Sequence, residues 1–315
     1  MKRILITLTL LGSLVTGYGQ AIINKNLYMA NPAQINPAYM GTQGKLFVGF
    51  QSSVTGDNDL GLPTYTSINA HGSFINNLGI GTNILSEDQG PFSLTMADLG
   101  TSYKVYFTEG QSLSFGLTIG FIRSTLNATT FSTNPYVDQN DPFLNSEFFD
   151  ETHIKLGAGF VYRYRNLEIG VGSPYLFRGG ESINEEANFS VGYTVAISPD
   201  KLELQPLFLY QLRADDPDLY DINLRASFVQ RIWIMGGYRS NESVNLGLGV
   251  TTPYLDFGYN YNSAMGDLQE ISATNHEILV AFKLTTTAKD LAPRASNANL
   301  KGAKASRSSR RRKSK

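Results

Sequence analysis

The stretch QSLSFGLTIGFIR, Gln111 to Arg123, alternates without a break. Leu113, Phe115, Leu117, Ile119 and Phe121 are apolar, and Ser112, Ser114, Gly116, Thr118 and Gly120 between them are small or polar. A period of two puts the two sets on opposite faces of a β-strand, one fully apolar and the other small and polar. Such a strand outruns the roughly five or six residues usual in a soluble sheet. It meets the about 9–11 residues that a tilted strand needs to cross a bilayer.

Working outward, the same pattern returns. From Ala187 to Ser198, Phe189, Val191, Tyr193, Val195 and Ile197 alternate with Asn188, Ser190, Gly192, Thr194 and Ala196. From His153 to Arg165, Ile154, Leu156, Ala158, Phe160, Tyr162 and Tyr164 oppose Lys155, Gly157, Gly159 and Arg163, with Val161 the apolar exception. About fourteen such segments are predicted: 45–54, 64–74, 78–85, 97–107, 111–123, 153–165, 167–176, 187–198, 201–213, 219–230, 232–239, 243–250, 254–262 and 276–284. Odd-numbered connections run roughly 9, 11, 29, 10, 5, 3 and 13 residues, and even-numbered ones roughly 3, 3, 1, 2, 1 and 3. Short turns at one end and longer loops at the other is the pattern of bacterial outer-membrane barrels. In hydrocarbon every backbone N–H and C=O must be paired, and for a sheet only closure removes the unpaired edges. The expected fold is therefore all-β, an antiparallel transmembrane β-barrel over 45–284. An even strand count puts both ends of the barrel on the short-turn, periplasmic side.

Composition agrees. Gly (30), Tyr (17) and Phe (18) are abundant, charged residues make up only 17%, and no cysteine is available for disulfides or thiolate chemistry. Tyr103, Tyr106, Phe107, Tyr162, Tyr164, Tyr175, Tyr238 and Tyr254 near strand ends suit the aromatic girdles at the two membrane interfaces. Pro206 and Pro174 each remove a ladder donor, so a bulge or bend is expected at both.

The flanking segments differ from the body. Residues 1–19 read as a signal peptide: Lys2 and Arg3 precede the short apolar run Ile4 to Val15, and Gly17-Tyr18-Gly19 supplies small residues at the cleavage positions. Residues 20–44 form an N-terminal periplasmic segment whose Asn31-Pro32 and Asn36-Pro37 break regular structure. It reads either as a plug or as a docking peptide. Thr125–Glu151 is the expected largest loop. Residues 285–315 hold ten Lys/Arg and one acid, a net of +9, while 20–284 hold 14 basic and 26 acidic residues, a net of −12. This tail, low in complexity, is expected to be disordered, with Arg310, Arg311, Arg312 and Lys313 its densest candidate polyanion-binding run.

No chemistry is legible. His71, His153 and His276 are far apart and read as lumen or strand-end residues. Val137 to Asp141 lacks the glycine and distal Glu of a calcium loop, Glu185-Glu186 reads as solvated, and Gly41 to Lys45 is too short for a phosphate loop. The charges Lys155, Arg163, Arg165, Glu203, Arg213, Asp221 and Arg225 fit a barrel interior, where they pair, better than lipid. No enzymatic activity, cofactor or metal is expected.

Five spaced elements resemble the PorP/SprF family. Asn31-Pro-Ala-Gln-Ile-Asn-Pro-Ala-Tyr-Met-Gly41 resembles its NPxxINPAYxG box, and Phe160 to Leu176 its YRY…VGVSVPxL segment. Gly236-Gly-Tyr-Arg239 is similar to its GxxYR element, Asp88 to Pro91 to its D..GP turn, and Thr274 to Ile278 to its GSHEI element with the glycine and serine replaced. The resemblance implies an outer-membrane barrel of the type IX secretion and gliding machinery of Bacteroidota. It would contact lipid, periplasmic ring components and a secreted or surface-attached cargo such as an adhesin, with no nucleic acid. Asn31, Pro32, Asn36, Pro37, Tyr39 and Gly41 are then candidate partner-docking residues. A basic tail after the last strand departs from the family pattern. The alternative reading is a passive porin or small-solute transporter.

Overall fold

The computed structural model describes residues 25–42, 45–55, 64–75, 77–126, 150–178, 186–198, 201–213, 217–265 and 274–285. The signal segment, Val137 to Asp141, Glu185 and the basic tail lie outside them. Three 3-10 turns, η1 (Leu27–Met29), η2 (Pro32–Gln34) and η3 (Pro37–Tyr39), precede the strands. These are β1 (Lys45–Thr55), β2 (Thr64–Ile75), β3 (Leu78–Gln89), β4 (Phe92–Thr108), β5 (Gln111–Leu126), β6 (Glu151–Tyr164) and β7 (Leu167–Arg178). Then follow β8 (Glu186–Tyr193), β9 (Val195–Ser198), β10 (Leu202–Arg213), β11 (Leu219–Phe228), β12 (Ile232–Arg239), β13 (Ser243–Thr251), β14 (Leu255–Ala264) and β15 (Asn275–Thr285). β8 and β9 are two halves of one crossing, so the wall is a closed antiparallel barrel of 14 strands. Closure is by β1 on β15, in unbroken register from Lys45↔Thr285 to Thr55↔Asn275. No helix among the described residues is long and apolar enough to cross a membrane; the strands do the crossing.

The alternation in sequence becomes inside and outside. Leu117 is 60% exposed and Leu246 64%, on the lipid side, whereas Ser114 and Gln51 are fully buried in the lumen. Reversing a register by one residue would turn every one of these faces around, so the apolar belt itself specifies the pairing.

Three details differ from expectation, each for a local reason. The connection expected over 86–96 is a two-residue turn: β3 runs to Gln89, β4 starts at Phe92, and Gly90 takes φ 58°. Ser86 to Gln89 are polar because that part of the hairpin stands beyond the apolar belt, where pairing no longer demands alternation. Near Pro174 the β6–β7 register shifts between Leu156 and Ala158, and the β7–β8 register between Gly172 and Tyr175. That is the bulge expected at this proline, but within it the parity is reversed at Tyr175. Tyr175 therefore turns inward, its ring under Lys155 Nζ at 4.8 Å, and does not join the girdle. Tyr106 also points inward beside Lys104, 3.2 Å from its Nζ, because its neighbours Val105 and Phe107 occupy the outward parity. At Pro206 the irregularity is the expected one: the strand opposite it is interrupted at Thr194, where the missing donor leaves a gap in the ladder.

Inward glycines act as gaps over which polar side chains meet. Gly120 lies in register between Asp98 on β4 and Lys155 on β6, and the two close an ion pair at 2.6 Å across it. Gly237 stands likewise between Asn223 and Asn245, whose amides bond at 3.1 Å. A side chain at either glycine would occupy the path.

Candidate functional site

The lumen is crossed by residues 25–42. Proline opens both η2 and η3, where a fixed φ and a missing N–H suit the first turn. Asn36 accepts the Ala38 N–H at 2.9 Å, a side-chain cap on η3. Its amide donates to the carbonyls of Phe160 and Val171 at 3.1 and 3.2 Å, joining the cap to the wall between β6 and β7. The plug lies close on the wall here: a Cβ built on Gly116 would stand 2.4 Å from the Pro37 carbonyl carbon, and one on Gly159 2.0 Å from the side-chain Oδ1 of Asn36. Gly41, at φ 67°, lies against Gly72 and Gly79, and its N–H donates to His71 Nδ1 at 3.2 Å. The Tyr39 hydroxyl donates to Glu168 at 2.6 Å, and Glu168 also pairs with Arg163 at 2.5 Å. Burial, reinforced by the Glu168 charge, pushes the Tyr39 hydroxyl above its ordinary range and keeps it a donor.

At the other end the plug is held by carboxylates. Glu277, buried, accepts the backbone N–H groups of Asn26 and Leu27 at 2.9 and 3.3 Å, and also bonds to Gln51 and Tyr65. Tyr28 lies between Asp221 and Asn223, donating to the former at 3.3 Å and accepting from the latter at 2.6 Å. Asp221 is gripped bidentately by Arg239 at 2.7 and 2.8 Å. Burial and the Asp221 charge raise the Tyr28 hydroxyl well above its ordinary range. Leu27 fills a small apolar cluster with Phe47, Trp233, Met235, Leu279 and Ala281. Between the two ends, Asn31 donates to Asn69 at 2.8 Å.

The six residues marked by the sequence as candidates for docking, Asn31, Pro32, Asn36, Pro37, Tyr39 and Gly41, thus all sit within the lumen. Of the segments that carried the family resemblance, four meet at the plug: the box itself, Phe160 to Leu176 through Asn36 and Glu168, Arg239 through Asp221, and Glu277 through the backbone of η1. Asp88 to Pro91 instead forms the β3–β4 turn. The residues missed in the sequence were Glu277 and Arg239 as anchors and the inner glycines as a seat. One signal was within reach: Asp221↔Arg239 and Arg163↔Glu168 are direct cross-strand partners over short turns. Lys155 and Arg163 find partners in the lumen, as interior charges should. His71 stacks on Phe47 at 4.9 Å, His153 pairs with Glu151 at 3.1 Å, and His276 bonds to Tyr259 at 2.8 Å. No group of three or more metal-ligating side chains occurs among the described residues.

Under the plug, at the short-turn end, lies a cavity of about 330 Å³ walled by Arg163, Glu168, Arg225, Trp233, Asp256 and Lys283 and roofed by plug residues such as Pro32 and Ile35.

Among solved structures, the chain resembles the Ralstonia pickettii toluene transporter TbuX (11% identity, 86% of this chain and 96% of that one, TM-score 0.49). It also resembles the CymD monoaromatic hydrocarbon channel (13%, 85% and 94%, TM-score 0.48). No curated protein gives a significant match. The family described as type IX secretion system membrane protein PorP/SprF matches residues 18–282. That span takes in the whole plug and all but the last residues of the final strand, so the chain belongs to the PorP/SprF family of type IX secretion membrane proteins, and its place is the outer membrane.

Proposed function

We propose that this protein is an accessory barrel of type IX export that holds or passes a partner protein at the cell surface, an adhesin being the expected kind, and performs no enzymatic step. The supporting observation is the plug. A passive pore needs an open polar lumen, whereas this lumen is crossed by a segment bonded to opposite parts of the wall, through Glu168 on one side and Glu277 and Asp221 on the other. A fixed crossbar suits a scaffold whose partners engage its two mouths better than it suits free diffusion of solutes. The short-turn end then faces the periplasmic ring components, and the long-loop end the cargo and, in a motile cell, the gliding surface. The basic tail from Arg310 to Lys313 would reach acidic partners or headgroups on the periplasmic side.

The test is affinity capture of the tagged protein from detergent-solubilised outer membranes, followed by mass spectrometry. Recovery of type IX ring components together with one large exported protein is expected. Recovery of neither, combined with large steady conductance in planar bilayers, would replace this reading with that of a porin. Truncation after Asp290 should leave insertion intact while weakening recovery of periplasmic partners, more so at low salt, where screening is least.

A further inference from the structure

We infer that the cavity beneath the plug is a binding site for a carboxylate carried on a small apolar body, the chemistry of a peptide chain end or an acidic side chain. The argument rests on charge pairing within the cavity. Both of its acids are engaged: Glu168 by Arg163 at 2.5 Å and by the Tyr39 hydroxyl at 2.6 Å, and Asp256 by Lys283 at 2.7 Å. Arg225 is different. Its guanidinium lies over the Trp233 ring at 4.7 Å, its buried Nε meets no protein acceptor, and no hydrogen-bonded carboxylate faces it among the described residues. A guanidinium held against an indole with no protein acceptor still has N–H groups to offer, and these match a carboxylate bidentately. Apolar side chains share the lining with these charges, Ile35 on the plug and the buried Leu279 on the wall. At about 330 Å³ the space exceeds what a bare inorganic anion fills and admits a terminal residue. The lining residues cluster at the short-turn ends of their strands, so the ligand enters from the side assigned to the periplasm.

The assignment deepens the export reading by naming the group that a periplasmic partner presents, and rests on that reading for the identity of the partner alone. Trp233 is the sole tryptophan of the chain and touches the proposed site, so its fluorescence reports occupancy directly. The full-length protein in detergent micelles is titrated with N-acetyl-leucine, with N-acetyl-leucinamide and with inorganic phosphate. A saturable change is expected for the acid, with at least tenfold weaker binding of the amide and of phosphate. Arg225→Gln should lose the response to the acid, and Arg225→Lys should retain part of it. If Arg225→Gln fails to fold, judged by its heat-modifiable gel mobility, the acid and amide arms on the unaltered protein still decide. No saturable response to the acid, an equal response to the amide, or phosphate binding as tightly as the acid would each overturn the assignment. Because these titrations need no secretion machinery, their failure is separable from a failed capture of partners.

Discussion

The plug is held by two unlike devices. Around η3 the fit is mainly one of shape: Gly116 leaves room for the backbone of Pro37 and Ala38, and Gly159 and Gly172 for the side chain of Asn36, whose amide donates to two main-chain carbonyls; Tyr39 adds one hydrogen bond to a carboxylate, Glu168. Around η1 the fit is one of charge: two buried carboxylates, Glu277 and Asp221, bind the chain through N–H and O–H donors and are themselves held in place by Gln51, Tyr65 and Arg239. A shape seat fails when anything is added to it, and a charge anchor fails when anything is removed. A plug with one of each cannot slide along the lumen without losing either its close contacts or its donors.

Removing a charge should have the largest effect. Asp221→Ala takes the bidentate carboxylate from Arg239, which is only 4% exposed, and should cost about 3–5 kcal/mol in urea unfolding from lipid vesicles. Asp221→Asn, which keeps a hydrogen-bond acceptor, should cost visibly less; equal losses would remove the charge argument for this end of the plug. Next comes the outer wall, as a reference lying outside the comparison. Leu117→Arg should cost about 2–4 kcal/mol in the same assay, since it places a guanidinium against the middle of the bilayer.

Adding to the seat should follow. The alternation alone predicts a mild Gly116→Ser, as it does for any small polar residue facing a lumen. The contact of Gly116 with Pro37 instead predicts about 1–3 kcal/mol through overpacking, together with faster cleavage of residues 25–42 by protease. A silent Gly116→Ser would mean that the plug does not press on β5. Smallest is Asn36→Ala, which removes the cap of η3 and its reach to the wall, for about 1–2 kcal/mol. Its effect should shrink when combined with Gly116→Ser, because a seat already opened leaves less for the cap to hold. Strict additivity of the two would separate the cap from the seat.

Much of the wall was legible in advance because each crossing repeats a two-residue period over its whole length, and short turns link each pair at the lower end. Errors fell where one residue changed the count. Pro174 inserts a bulge, and Tyr175 within it changes sides; Tyr106 was grouped with Phe107 although adjacent residues of a strand cannot share a face. The ion pairs divide in the same way. Arg163 with Glu168 is readable across a two-residue turn, whereas Lys155 with Asp98 requires knowing that Gly120 stands between them on a third strand.

The sequence by itself determined the strands, which face of each meets lipid, the class of membrane, and a pair of proline-opened turns ahead of the barrel. These follow from backbone periodicity and local dihedral preference, which act over a few residues. Only the tertiary structure decided that the Asn31 to Gly41 box turns inward and becomes a plug. The reason is distance along the chain: Asn26 and Glu277 are separated by 251 positions, and they meet only because β15 pairs with β1 to close the cylinder. Closure creates the lumen, and with it a polar, enclosed space where the donors of that segment find acceptors.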